Sequence, residues 1–243
     1  MIHISVVILT FNSSKTLQKT IQSLYKFHQV IIYDSGSTDD TLKITQAYPN
    51  IKFINGEFYG FGKSRNTAIS FAETNWILSL DSDEILTEAL ITEISNLNLN
   101  DENIVFSLKR DNIVLGKKIK YSGLGNDWLI RLFNKQRYHF SDNLVHEKIL
   151  INKNTKIQKL KNSFLHLAIL DSNDFLTKIS KYSKLSAEEK KDKKYSLSYV
   201  LIKSMFAFIR TYFLQLGFLD GWRGLLIAVS NANGRFYRYI RLI

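Results

Sequence analysis

Along the first hundred residues, apolar runs and polar breaks alternate with two periods, one of the strand type and one of the helix type. Ile4-Ser5-Val6-Val7-Ile8-Leu9 is a β-branched run that reads as a strand buried on both faces. Residues 13–27 place Leu17, Ile21 and Leu24 at helical spacing, with Ser13 or Ser14 as the N-cap. Val30-Ile31-Ile32-Tyr33 is a second strand, and the polar turn Asp34-Ser35-Gly36-Ser37-Thr38-Asp39 leads from it into a helix carrying Leu42, Ile44 and Ala47. A third strand covers residues 51–54, a helix residues 63–74, and a fourth strand residues 76–80, ending at Asp81. Thr87 then caps a helix containing Leu90, Ile91 and Ile94.

Alternation at this spacing implies βαβ units, hence an α/β chain with a mostly parallel, mixed sheet flanked by helices. Ligands of such sheets sit beyond the carboxyl ends of the strands, which here carry Thr10 and Asn12, Asp34 and Ser35, residues 55–57, and Asp81 to Glu84. From about residue 103 the pattern changes to short alternating segments at 104–109, 128–133 and 145–151, read as a mixed or antiparallel extension. Residues 172–190 read as a helix with Phe175, Ile179, Tyr182 and Leu185 on one stripe. Residues 196–218 form a longer, strongly apolar helix interrupted by Lys203 and Arg210, and residues 221–243 a further one. The simplest partition is a catalytic domain over 1–170 and a C-terminal basic, amphipathic helical extension over 171–243.

Charge sharpens that partition. Of the net charge of +11, residues 181–243 supply +8, from 12 Lys and Arg against 4 Asp and Glu. The basic segment is also rich in Phe, Tyr, Leu and Ile, which suits either a lipid surface or helices packing an apolar side on the catalytic domain; a nucleic-acid arm would be more solvated, so no nucleic acid is expected. No run reaches the ~18 unbroken apolar residues of a membrane span. The N-terminus enters a strand without a basic region or cleavage site, so no signal peptide is expected. With no cysteine, disulfides and thiolate metal sites are excluded. A cytoplasmic protein, peripheral on the inner face of the membrane, fits these features.

Three carboxylates within four residues, Asp81-Ser82-Asp83-Glu84, repel one another unless cations or hydrogen-bond donors offset them. Hard oxygen ligands at a strand end suit Mg²⁺ or Mn²⁺ bound together with substrate phosphates. In the turn after the second strand, Gly36 permits tight reversal and Ser37 and Thr38 can cap a helix; Asp34, ending an apolar strand, would suit a nucleobase N–H. Gly60-Phe61-Gly62-Lys63-Ser64-Arg65 misses two phosphate-binding patterns. Arg65 replaces the last glycine of a dinucleotide fingerprint, and Glu57 stands where a P-loop needs its first glycine.

Taken together, Ile8-Leu9-Thr10-Phe11-Asn12, the 34–39 turn, Gly62-Lys63-Ser64-Arg65-Asn66-Thr67-Ala68 and Leu80-Asp81-Ser82-Asp83-Glu84 resemble the family 2 glycosyltransferases, of GT-A fold. Arg131-Leu132-Phe133, Val145-His146-Glu147, His166-Leu167 and the stretch from Leu214 to Gly224 are similar to the bacterial lipopolysaccharide core glucosyltransferase branch. The resemblance implies an inverting, metal-dependent enzyme. It would move a hexose, glucose from UDP-glucose, onto a lipid-linked saccharide such as a lipopolysaccharide or lipooligosaccharide core. It also implies site roles. Thr10 and Asn12 would line the nucleotide pocket with Ser82, Asp34 would contact uracil, Arg65 would approach the diphosphate and Asp81 would hold the ribose. Asp83 would bind the divalent metal, Mg²⁺ or Mn²⁺, with His166 as a late ligand. The usual Glu-Asp pair and Gln-x-x-Arg-Trp motif are missing, so Glu147 is the candidate general base, with His146 either supporting it or a plain loop residue. Two other readings stay open: a P-loop-like nucleotide hydrolase working through Lys63, and a non-catalytic nucleotide-sugar-binding module.

Overall fold

The structure is a computed structural model that describes residues 1–143, 147–188 and 193–243. The chain forms two compact units, one of Met1–Arg110 and Trp128–His166, the other of Asp111–Asp127 and Leu167–Ile243.

In chain order the elements of the first unit are β1 (Ile2–Thr10), α1 (Leu17–Gln22), β2 (Phe27–Asp34), α2 (Thr41–Thr45), β3 (Ile51–Asn55), α3 (Phe61–Ser70), β4 (Trp76–Asp81), β5 (Glu84–Leu86), α4 (Glu88–Ser95) and β6 (Ile104–Val114). After the short β7 (Lys117–Lys118), which belongs to the second unit, come β8 (Asp127–Asn134) and β9 (Lys156–Ile169). The sheet order is β3-β2-β1-β4-β8-β6-β9-β5. β3, β2, β1 and β4 run parallel. β8 is antiparallel to β4, and β9 to β5.

The continuous apolar runs are explained by burial on both faces. Along β1, Ile4, Val6 and Ile8 enter one core cluster and Val7 the other; β2 divides Val30 and Ile32 from Ile31 and Tyr33 in the same way. Helices α1 and α4 cover the first face with Leu17, Ile21, Leu90, Ile91 and Ile94, and α3 covers the second with Ala68 and Ile69. Thr87 caps α4 as expected, its hydroxyl accepting from the Leu90 N–H at 3.2 Å. Strand order reverses at β1, since β2 and β4 lie on either side of it. This is the switch point at which open α/β sheets leave a crevice. Register aligns the strand ends, with Thr10 opposite Asp34 and Leu9 opposite Asp81.

Several expectations are corrected. The first helix spans Leu17–Gln22 rather than residues 13–27, because the chain turns at Leu24 and Phe27 already opens β2. The strand expected over 145–151 is, within the described residues 147–151, a single bridge between Phe140 and Ile149; residues 144–146, including His146, lie outside the described residues. The 14-residue β9 was not foreseen, because its first half alternates Lys, Gln and Asn with few buried positions.

The second unit packs Val114, Ile119, Ile169, Phe175 and Ile227 into a small core. Its helices are α5 (Ser172–Glu188), α6 (Leu197–Ile209) and α7 (Trp222–Ile240), with a π-type turn over Arg210–Leu214 and a 3₁₀ turn over Gly217–Asp220. Asp220 accepts hydrogen bonds from the backbone of Lys120 (3.0 Å) and Tyr121 (3.1 Å) and from the Ser122 hydroxyl (2.8 Å). Arg223 donates to the carbonyls of Val114 (3.1 Å) and Leu115 (2.9 Å). The Gly217–Gly224 stretch is thus a clasp holding residues 111–127 to the helices. Leu197–Leu214 is one helical stretch of 18 residues with mean hydropathy 1.3, long and apolar enough to cross a membrane by length and composition. Counting unbroken apolar residues missed it, because Lys203 and Arg210 interrupt the run.

The clasp sets a packing test. A Cβ on Gly224 would lie 1.8 Å from the Gly217 carbonyl oxygen, so Gly224→Ala forces backbone apart. Urea unfolding should show a loss of about 2 kcal/mol.

Candidate active site

The first part of the site is the loop after β2. Asp34 ends that strand buried, and four hydrogen bonds converge on its carboxylate. Thr10 Oγ1 (2.8 Å) and Ser37 Oγ (2.6 Å) donate to Oδ1, and the N–H groups of Gly36 (3.0 Å) and Ser37 (2.7 Å) donate to Oδ2. Those bonds match the roughly four lone-pair sites a carboxylate offers. Asp34 therefore builds the turn, which Gly36 makes possible with φ +86°. Asn12, itself at φ 50°, accepts from the Thr38 N–H at 2.8 Å, and its own N–H donates to Ser37 Oγ at 2.7 Å. Thr10, Asn12 and Asp34 are brought together as one scaffold, as the strand register requires.

The second part lies at the ends of β4 and β5. Asp81 is gripped by two guanidinium groups, Arg65 Nη2 on Oδ1 and Arg131 Nη2 on Oδ2, the latter at 2.7 Å. Arg131 Nη2 also reaches Glu84 Oε1 at 2.6 Å, and Arg110 Nη1 lies 3.6 Å from the same oxygen. Glu84 Oε2 accepts from the Asp81 N–H at 2.9 Å. Arg65 is only 2% exposed. Its remaining nitrogens serve Glu147 Oε1 (Nε, 3.0 Å), Ser79 Oγ (Nη1, 2.9 Å) and the Leu80 carbonyl (Nη1, 3.3 Å). Burial pushes the pKa of Asp81 up, but the charges and hydrogen bonds of Arg131 and Arg65 outweigh it and hold the carboxyl well below its ordinary value. Glu84 goes the other way, pushed up to about 7 by burial, with Asp81 and Asp83 adding to the push against Arg131 and His166. The repulsion expected within the acidic run is thus largely offset by the protein's own arginines.

Asp83 stands outside that clamp. Its Oδ2 lies 3.4 Å from His166 Nε2, because β5 pairs with β9 in a register that sets Glu84 opposite His166. Among the described residues no group of three or more His, Asp or Glu side chains is arranged to hold a metal alone. One carboxylate and one imidazole do fit a divalent cation that completes its shell with diphosphate oxygens and water. Ser82 sits between the two acids with its carbonyl accepting from Thr20 Oγ1 at 2.9 Å.

Arg65, expected at a diphosphate, is turned instead to Asp81, Glu147 and β4. Through it the proposed base and the first aspartate become neighbours, 82 and 16 residues away in sequence respectively. Sequence reasoning did not assign Arg131 and Arg110 to the site. Their signal was an arginine within each of two half-apolar strands, where an unpaired charge would be costly. Gly62, Lys63 and Ser64 open α3, and a Cβ on Gly62 would lie 1.8 Å from the Ser141 carbonyl oxygen, so backbone occupies the space beside that turn where a P-loop would receive a phosphate.

Strand ends that gather acids and arginines at the switch point of such a sheet mark where a ligand would sit, and comparison with known proteins gives the class. Residues 5–164 match the family model described as Glycosyl transferase family 2, so the chain belongs to that family and has its GT-A type fold. It is 29% identical to the lipopolysaccharide core biosynthesis glycosyltransferase LpsC of Rhizobium meliloti, over 98% of this chain and 89% of that one. It is 26% identical to an uncharacterised glycosyltransferase of Rickettsia typhi, over 98% and 86%. The solved structure of residues 1–349 of Staphylococcus aureus TarS aligns with TM-score 0.48 and 17% identity, over 99% of this chain and 83% of that one.

The shifted Glu84 gives a pH dependence. Between about pH 4.5 and 7 the folded chain keeps the Glu84 proton that the unfolded chain has released, so stability falls as pH rises through that window. In EDTA, Glu84→Gln should flatten this fall, which amounts to about 2 kcal/mol between about pH 5 and about pH 7, as followed by urea unfolding.

Proposed function

We propose that the chain transfers a hexose from a UDP-hexose, with inversion, to a lipid-linked saccharide of the lipopolysaccharide-core type on the inner face of the cytoplasmic membrane. The observation that carries the transfer chemistry is the division of labour among the acids. Asp81 is held ionised between two arginines and Glu84 is buried against Arg131, while Asp83 faces His166. The core-saccharide acceptor is supported by the likeness to LpsC along nearly the whole chain, and UDP-glucose by the resemblance of the motifs.

The loop built on Asp34, Thr10 and Asn12 receives the nucleoside, its rigidity coming from the hydrogen bonds within it. Asp81, fixed at both oxygens, holds the ribose side of the donor. Asp83 and His166 hold a divalent cation, Mg²⁺ or Mn²⁺, which when bound offsets the negative charge that grows on the departing diphosphate. Arg65 positions Glu147 by its 3.0 Å contact to Oε1. Glu147 takes the proton of the acceptor hydroxyl as that oxygen bonds to the anomeric carbon and the carbon–phosphate oxygen bond breaks, releasing UDP. One displacement with one base inverts the anomeric centre, so a UDP-α-sugar yields a β-linkage.

Release of UDP from UDP-glucose and related donors, with and without EDTA, tests this reading without the true acceptor. Release should depend on metal and drop by about 100-fold in Asp83→Ala. Glu147→Gln should keep metal-dependent UDP binding and lose about 100-fold or more in transfer to a saccharide acceptor. No release together with no metal-dependent UDP binding would sink the Asp83 assignment, and a product of retained configuration would remove Glu147 as base.

A further inference from the structure

Helix α6 is turned inside out relative to an ordinary packed helix. Val200 is its buried residue, whereas Leu201, Ile202, Met205, Phe206 and Ile209 are all exposed, Met205 by 61% and Phe206 by 53%. At about 100° per residue these five fall within one arc about 140° wide, nearly opposite Val200. Lys203 and Arg210 are also exposed and stand together on one flank of that arc. Past the helix Phe213, Phe218, Leu219 and Trp222 are exposed as well. Only 11% of the 197–214 stretch is buried. A contiguous apolar patch of this kind marks a surface that something covers.

Charge selects the cover. The second unit's chain from residue 181 onward carries 12 Lys and Arg against 4 Asp and Glu, and Lys203 and Arg210 border the apolar arc rather than lying within it. Apolar insertion flanked by cations is the pattern of a helix at an anionic lipid interface. The same arrangement argues against crossing. A spanning helix would place Lys203 and Arg210 inside hydrocarbon, where a cation is costly.

We propose that α6 and the turn after it lie in the plane of an anionic phospholipid surface. The Leu201-Ile202-Met205-Phe206-Ile209 face is inserted, and Lys203 and Arg210 rest at the headgroups. The proposal deepens the reading of a lipid-linked acceptor, on which its usefulness rests, but its test does not depend on activity.

The full chain is added to vesicles of zwitterionic phospholipid with or without about one third anionic phospholipid, and bound protein is separated by flotation. Binding to the anionic vesicles should exceed that to the neutral ones by about tenfold and weaken with salt. Met205→Ser with Phe206→Ser should lower it about tenfold on both, and Lys203→Glu with Arg210→Glu should remove the preference for anionic lipid. All side chains changed are exposed, so UDP release from the donor and the urea midpoint should match the wild type. Unchanged UDP release with no flotation overturns the lipid surface while leaving the glycosyltransferase reading in place. A doubled mass in solution that Met205→Ser with Phe206→Ser abolishes, with no flotation, assigns the face to a second copy of the chain and overturns the proposal. Protein that resists alkaline carbonate extraction from cell membranes overturns the in-plane placement.

Discussion

Two guanidinium groups on one carboxylate, Arg65 and Arg131 on Asp81, are the contact on which the first unit's site depends. Each ion taken from water costs several kcal/mol, and the cost is met only when opposite charges and hydrogen bonds meet it with good geometry. Here the compensation comes from five elements at once: α3 gives Arg65, β4 Asp81, β5 Glu84, β6 Arg110 and β8 Arg131. The antiparallel strands β8 and β6 are therefore more than an extension of the sheet. They supply the cations without which the end of the parallel β4 could not carry Asp81 next to Glu84. Because the pairs share members, loss of Arg65 or of Arg131 leaves two carboxylates each short of a partner.

The clamp also sorts the acids by role. An aspartate held at both oxygens by guanidinium groups is rigid, stays ionised and can orient a ligand, and the two cations beside it repel a further cation. Asp83, beyond the clamp and beside His166, remains available to a cation. The same division holds in the loop after β2. Asp34 is consumed in shaping the turn, and what the loop offers a ligand is the surface that Asp34, Thr10 and Asn12 together hold in place. In both places buried polar groups are paired first with each other, which gives a preorganised site.

The second unit follows a different logic. Its core is small, and its backbone is secured by polar contacts, with Asp220 and Arg223 each bonded to the backbone of residues 114–121. That clasp lets α6 hold its shape while its most apolar face stays uncovered. A helix whose folding relied on burying that face could not present it to a partner.

Much of the first unit was legible in the sequence because strands buried on both faces leave unbroken β-branched runs, and such runs at βα spacing leave few arrangements. β1 to β4, the Thr87 cap and the acidic strand end all follow from local pattern. β9 did not, since its first half faces solvent and its alternation is masked by Lys and Asn. Nor could local pattern show which charges meet. Asp81 and Arg131 are 50 residues apart, Arg65 and Glu147 82, and both pairs exist only through sheet order and the packing of α3 on it. His166 faces Asp83 solely because of the register of β9 on β5. By itself the sequence determined the periodicities, the charge surplus of the last quarter and the residue types able to do the chemistry, all of which are local quantities. Tertiary structure alone decided which acid is neutralised, which remains available to a cation and which face of α6 is left bare, because these depend on contacts between segments that strand pairing brings together across the chain.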